Sequence, residues 1–184
     1  MVTSLSGRAS PVAGFEAPLE MLASCHGRIE QQCQTLRRLL AHLPVHGADR
    51  QAQEAAAAVM RYFDSAARHH HEDEEEDLFP ALLESMAGSD ARCLRDMTQA
   101  LSDEHRRLDL RWQRLRAMIE ALAAGRSAWL DAAVVDDFIA AQLKHVARED
   151  AELLPMATRL LGDDALRDIG RAMRERRGIA AGLP

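Results

Sequence analysis

His70-His71-Glu72-Asp73-Glu74-Glu75 is followed, after two residues, by Leu78-Phe79-Pro80. Seventy-five positions on, the chain spells a shorter version, His145-x-x-x-Glu149-Asp150, closed by Leu153-Leu154-Pro155. Residues four apart share one face of a helix. A His-x-x-x-Glu pair therefore presents an imidazole and a carboxylate to one ion, or lets the acid bridge two. A buried carboxylate without a partner costs several kcal/mol, and a bound cation removes that cost. Imidazole and carboxylate without thiolate suit iron, manganese or zinc better than copper(I) or an iron–sulfur cluster.

Such a site needs four converging elements, and the apolar pattern supplies them. The first helix is predicted from near Pro18, a residue suited to an opening turn, to just before Pro44. Its inward positions, Leu19, Leu22, His26, Ile29, Cys33, Leu36, Leu40 and Leu43, step by threes and fours. The second runs from about Ala48 to Met86, with Val59, Met60, Phe63 and Ala67 leading into the histidine run, and Gly88-Ser89-Asp90 breaks it. The third spans about Asp90 to Ala124, with Leu94, Leu101, His105, Leu108, Trp112, Leu115, Ile119 and Leu122 inward. The fourth spans about Ala128 to Leu161 and turns Val135, Phe138, His145, Glu149, Leu153, Met156 and Leu160 to one side. Pro80 and Pro155 are expected to kink or end their helices. Gly162-Asp163-Asp164 opens a short basic helix that ends near Gly178.

Each long helix thus carries a histidine on its seam: His26, His70 or His71, His105 and His145. One histidine in an apolar stripe is usually a core residue; four, one per helix and with acids beside two, need a stronger reason. Aligning His26 with His105 also matches Arg28 to Arg107, Ile29 to Leu108, Leu36 to Leu115 and Leu43 to Leu122. The offset there is 79 positions, against 75 for the second pair of helices. Two related hairpins give an all-α fold: an up-and-down antiparallel four-helix bundle with an internal two-fold repeat, plus a short C-terminal helix. Residues 1–16 read as a loose tail, 17–162 as the bundle and 163–184 as the C-terminal helix and tail.

Composition narrows the function classes. At 184 residues the chain can bury one substantial core. Its net charge of -6 and pI of about 5.7 argue against nucleic acid as a partner. No apolar run approaches the ~20 residues of a membrane span, and no secretory signal is visible at the N-terminus. Three cysteines at no metal-binding spacing suit a reducing, cytoplasmic location. Glu72, Asp73 and Glu76 read as a solvated face, Cys25 and Cys33 as small buried apolar residues, and the arginines at 171, 174, 176 and 177 as a solvated basic tail.

These residues resemble the hemerythrin-like, or HHE cation-binding, family: Cys25-His26 on the first helix, His70 to Pro80 on the second, Glu104-His105 on the third and His145 to Pro155 on the fourth. The resemblance covers roughly residues 18 to 162. It implies a bundle around two non-heme irons joined by bridging carboxylates and an oxo or hydroxo group, with zinc or manganese as other occupants. It further implies binding or sensing of dioxygen, nitric oxide or peroxide. The alternatives are a di-iron oxidoreductase or iron-donating repair protein, and a structural bundle holding zinc or a single ion. No nucleic-acid or membrane partner is expected, and a homodimer stays open. Oxygen-carrying relatives have His-x-x-x-His on the third helix. Here one of those places falls on Leu101 or, in the other register, on Asp109, which argues against simple oxygen storage.

The second-helix register is also open. His70/Glu74 and His71/Glu75 differ by about 100° around the helix. Superposition on His145/Glu149 favours the first pair, whereas relatives with a fourth-helix His-x-x-x-x-Asp pattern favour Asp150, and with it Glu75 and His71. The candidate ligands are therefore His26, His70, His71, Glu74, Glu75, His105, His145, Glu149 and Asp150.

Overall fold

The computed structural model describes residues 14–85 and 91–179, and every regular element among them is helical. The first rod is α1 (Pro18–His46). It runs through Pro44 rather than stopping before it: so near the end the proline forfeits little, and Gly47, at a φ of 66°, closes the helix with its N–H on Leu43 O at 2.9 Å. The second rod comprises α2 (Arg50–Arg61), α3 (Ala67–Asp73) and α4 (Phe79–Ser85), joined by wide π-helical turns at Tyr62–Ala66 and Glu74–Leu78. Asp49 caps its start by accepting from Ala52 N at 2.8 Å. The third rod is α5 (Ala91–Ala123). The fourth joins α6 (Ala132–Arg148) to α7 (Leu154–Leu160) through a π-helical turn at Glu149–Leu153. It starts four residues later than predicted because Asp131 is its cap, accepting from Ala133 N at 2.9 Å. The expected break at Gly88-Ser89-Asp90 and the end of the second helix at Met86 fall outside the described residues.

Neither Pro80 nor Pro155 ends its rod. A proline ring collides with the carbonyl four residues back and offers no N–H. The wide turn just before each proline moves that carbonyl aside, and Phe79 N–H and Leu154 N–H reach back five residues to Glu74 O and Glu149 O.

The first rod packs on the second and fourth, the second on the third, and the third on the fourth. Contacts at Asp64–Trp112 and Glu75–His105, and at Glu104–His145 and Arg111–Asp137, run in opposite chain directions, so these neighbours are antiparallel. Two apolar clusters fill the interior. One gathers Ile29, Leu36, Phe63, Trp112, Leu115, Phe138 and their neighbours; the other gathers Leu22, Leu78, Leu82, Leu94, Leu101, Leu153 and Met173. All the inward positions predicted for the third helix are buried. On the first helix Leu39 rather than Leu40 takes the buried place, and on the fourth Ala157 is buried while Met156 and Leu160 are partly covered. No helix among the described residues is long and apolar enough to cross a membrane.

The basic C-terminal helix, α8 (Asp163–Arg176), corrects two expectations. It packs on α1 and α3 through Ile169 and Met173. Asp73, expected on a solvated face, is fully buried, and both Arg176 and Arg177 donate to its carboxylate. Arg176 reaches Glu76 and Asp77 as well, at 2.8 Å each. Those two arginines are therefore structural and not merely solvated. Residues 1–13 of the expected N-terminal tail lie outside the described region. Phe15 crosses α8 so closely that a Cβ on Gly170 would lie 1.9 Å from the Phe15 carbonyl oxygen.

Candidate metal centre

The four rods bring their histidines to one level, between the two apolar clusters. On α1 the seam Leu22, His26, Ile29 turns His26 inward; on α5 Leu101, His105, Leu108 does the same. In the second and fourth rods His70 and His145 sit one turn before Glu74 and Glu149, the residues that open the two proline-associated π-helical turns. All six side chains are buried.

They fall into two groups of mutually close ligand atoms, His26/His70/Glu74/Glu149 and His105/His145/Glu74/Glu149, which share both carboxylates. The two oxygens of Glu149 are divided between them. Oε2 lies 3.2 Å from His26 Nε2 and 3.9 Å from His70 Nε2, while Oε1 lies 3.0 Å from His145 Nε2 and 3.5 Å from His105 Nε2. Glu74 is divided the same way, with Oε1 at 3.7 Å from His70 Nε2 and Oε2 at 3.3 Å from His105 Nε2. Both oxygens of each acid, and Nε2 of His26 and His70, have no partner in hydrogen-bond geometry despite these short separations. Atoms bonded to one ion at about 2.1 Å stand roughly 3.0–3.4 Å from one another; the separations of 3.0, 3.2 and 3.3 Å match that spacing, and those of 3.5, 3.7 and 3.9 Å are somewhat wider.

An outer layer orients the rings. His26 Nδ1 donates to Asp150 at 2.6 Å, His105 Nδ1 to Glu75 at 2.7 Å and His145 Nδ1 to Glu104 at 3.1 Å. An ionised carboxylate only accepts, so each of these rings carries a proton on Nδ1, which leaves Nε2 as the nitrogen that would turn a lone pair to a bound ion. Arg148 in turn donates to Glu104 at 2.9 Å. Thus Glu75 and Asp150 stand behind the histidines and not among the converging atoms. His71 forms a third group with His105 and His145, its ring stacked on His105 at 4.0 Å. Asp109 is exposed and accepts from Gln113 at 2.8 Å, so it supplies no ligand in place of the missing histidine; Leu101 belongs to the apolar cluster.

The electrostatics of the cluster favour positive charge. Burial works against ionised Glu149, but His105, His145, His26 and His70 together pull its carboxyl well below the usual range. Burial likewise opposes charge on His105, yet Glu149, Glu74 and Glu75 push it up to about 11. His70 is raised well above its ordinary value, with burial outweighed by Glu74, Cys25 and Glu149. The acids hold protons on the imidazoles where a cation would relieve the same field.

Gln142 was not among the residues singled out from sequence, and Glu104 was named there only as the neighbour of His105, without a role of its own. Glu104 carries no periodic mark, since its partner lies 41 positions away. Gln142 was legible in principle, as a polar residue in the buried run Val135, Phe138, Ile139, Gln142, His145, Val146.

Residues 17–157 match the model of the hemerythrin HHE cation-binding domain. An uncharacterized protein of Haemophilus influenzae is 29% identical over 167 residues, which cover 91% of this chain and 94% of that protein.

Proposed function

The chain belongs to the hemerythrin HHE cation-binding family, and from that premise we propose that it is a non-heme di-iron protein that binds or senses a small molecule such as dioxygen, nitric oxide or peroxide. The observation that carries this reading is the division of Glu74 and Glu149, each with one oxygen toward His26 and His70 or His70 alone, and the other toward His105 or His105 and His145. The orphaned buried oxygens and imidazole nitrogens are the donor set that two cations would take up. His26 and His70 would hold one ion and His105 and His145 the other, with both glutamates bridging. Two imidazoles and two carboxylate oxygens leave an iron with open positions for an exogenous ligand. Bound iron would supply that coordination site and reversible one-electron chemistry.

The chain's own groups do the rest. Asp150, Glu75 and Glu104 fix the imidazole tautomers, and the two apolar clusters keep bulk water away from both ends of the centre. Three free cysteines accord with a reducing compartment such as the cytoplasm. The same open positions also support a second reading, a di-iron oxidoreductase or an iron donor in repair. A structural zinc site is the third reading: two imidazoles and two carboxylate oxygens would also close a four-coordinate zinc, and the metal content of the purified protein separates it from the other two.

Anaerobic loading with ferrous iron tests the proposal. About two irons per chain are expected, with ferric near-ultraviolet absorption appearing in air and lost in His145→Ala. A colourless protein holding less than about one iron per chain would overturn it. Peroxide consumption, or iron transfer to an apo-cluster protein, would move the assignment to the second reading.

A further inference from the structure

One cavity beside the centre is unlike the rest of the interior. It holds about 310 Å³, opens at the exposed Arg68, Asp109 and Gln113, and narrows between the second and third rods to His71. Its walls are Phe63, Ala67, Leu108 and Trp112, all buried. Gln142, also buried, lines it with an amide oxygen that has no hydrogen-bond partner, and the Nε2 of His71 is equally unpartnered. Two orphaned polar groups in one apolar cavity require an explanation.

The helix geometry around it is specific. The π-helical turns at Glu74–Leu78 and Glu149–Leu153 each answer a proline, but the third, Tyr62–Ala66, has none to answer. It forms the cavity's upper wall. It puts Phe63 against Trp112, with ring centroids 4.9 Å apart, and aims Asp64 at the third rod. Asp64 accepts from Trp112 Nε1 and from Arg116 Nε, both at 2.9 Å, which fixes the indole in place. Isolated π turns of this kind commonly mark functional sites.

We propose that this cavity binds a neutral organic molecule with an apolar body and one hydroxyl or hydroperoxyl head, the head held by Gln142 and His71 and the body between Phe63 and Trp112. Size excludes a diatomic molecule as the sole occupant, because about 310 Å³ is roughly ten times the volume a water molecule takes up in the liquid. Polarity favours a neutral body: Asp64 is paired with Arg116 and Arg68 with Glu72, which leaves an amide and an imidazole as the polar groups of the inner walls. A hydroxyl both donates and accepts, so it satisfies the amide in either orientation. A head at His71 lies one stacked ring from His105. The claim that the molecule is presented to the metals rests on the proposed function; binding in the cavity does not.

The test uses the full chain loaded with redox-inert zinc, and 2-phenyl-2-propanol as probe, followed by ligand-observed NMR. Saturable binding is expected, weakened at least about tenfold by Ala67→Phe, which fills the cavity, and by Gln142→Leu, which removes the polar anchor. Both variants should keep the zinc content of the wild type. Isopropylbenzene, which lacks the hydroxyl, should bind more weakly than the alcohol. Cumene hydroperoxide separates the two heads: tighter binding than the alcohol identifies a hydroperoxide pocket, and equal or weaker binding an alcohol pocket. No saturable binding, or binding indifferent to both substitutions, overturns the pocket whatever the iron content. A chain that binds the alcohol but fails to hold iron overturns the di-iron reading and leaves the pocket standing.

Discussion

At the two ends of the centre the same pair of contacts is built twice. His26 faces Glu149 at 3.2 Å and Asp150 at 2.6 Å; His105 faces Glu74 at 3.3 Å and Glu75 at 2.7 Å. Behind the other two histidines the supports differ in kind, a carboxylate beside His145 and the Cys25 thiol beside His70. His145 is held by Glu104, itself held by Arg148, whereas neither ring nitrogen of His70 has a partner in hydrogen-bond geometry. At the repeat's offset of 79, the residue matching Glu104 is Cys25, whose sulfur takes a 2.9 Å hydrogen bond from Arg28. At the offset of 75, Arg148 matches Asp73, so a base in one half answers an acid in the other, and the acid finds its cations on α8. The repeat has kept the atoms that would touch an ion and let their supports diverge. Two ions in such a site would share bridges but differ in ligand basicity.

The strongest way to break this comparison is to remove what the halves share. Glu149→Gln leaves the volume nearly unchanged but takes away the charge and the bridging oxygen pair. Affinity for both ions should fall by more than about 100-fold, since even outer partners of metal ligands are worth 10–100-fold. Calorimetric titration of metal-free protein reads this directly. One ion binding with wild-type affinity would mean that Glu149 serves only one half.

Next in size is the brace on the first half. Replacing Arg176 and Arg177 together with alanine leaves Asp73 charged, buried and alone, which should destabilise the fold by about 3–5 kcal/mol. Asp73→Asn in that double variant should recover much of the loss. Chemical denaturation checks both, and the absence of rescue would show that α8 acts through packing and not through this charge.

Smaller again is the support behind His145. Glu104→Gln should weaken one of the two ions by about 10–100-fold, while Cys25→Ser in the matching place should change affinity far less. Equal effects on both ions, or a larger effect from Cys25, would overturn the asymmetry.

How much of this was written in the sequence depends on the range of each interaction. His26, His70, His105, His145, Glu74 and Glu149 were legible because a ligand on a helix inherits the three-and-four period of the apolar seam that carries it. The choice between His70/Glu74 and His71/Glu75 was legible only in part: the repeat favours the first pair, but neighbours about 100° apart can both lie near a bundle's axis. In the structure they take different places, His70 among the atoms shared with Glu149 and His71 at the cavity. Asp73 was misread because its cations lie about a hundred positions downstream, and charge alone reads as solvated. The proline turns were half legible: Pro80 and Pro155 announced a disturbance, but only packing shows that the rod widens and continues.

The smallest expected effect concerns protons, and it sharpens the comparison by asking whether both ends respond. In the metal-free protein the Glu149, Glu74 and Glu75 carboxylates outweigh burial and push His105 up to about 11, and His26 is also raised, burial being outweighed by Glu149 and Asp150. A group raised on folding contributes stability that is complete below its unfolded value, 6.5 for histidine, and fades as pH climbs through the folded value. The thermal midpoint of metal-free protein should therefore decline between pH 6.5 and about 11. The zinc-loaded protein should show the opposite tendency over the lower part of that range, because an ion binds only the neutral imidazole and must expel the proton first. Proton release on zinc binding, read from calorimetric enthalpies in buffers of different ionisation heat, counts the histidines involved. Release at His105 alone, unchanged in Asp150→Asn but reduced in Glu75→Gln, would show that the matched distances at the two ends hide unequal electrostatics. Equal responses to the two substitutions would show that the halves are alike in field as well as in geometry.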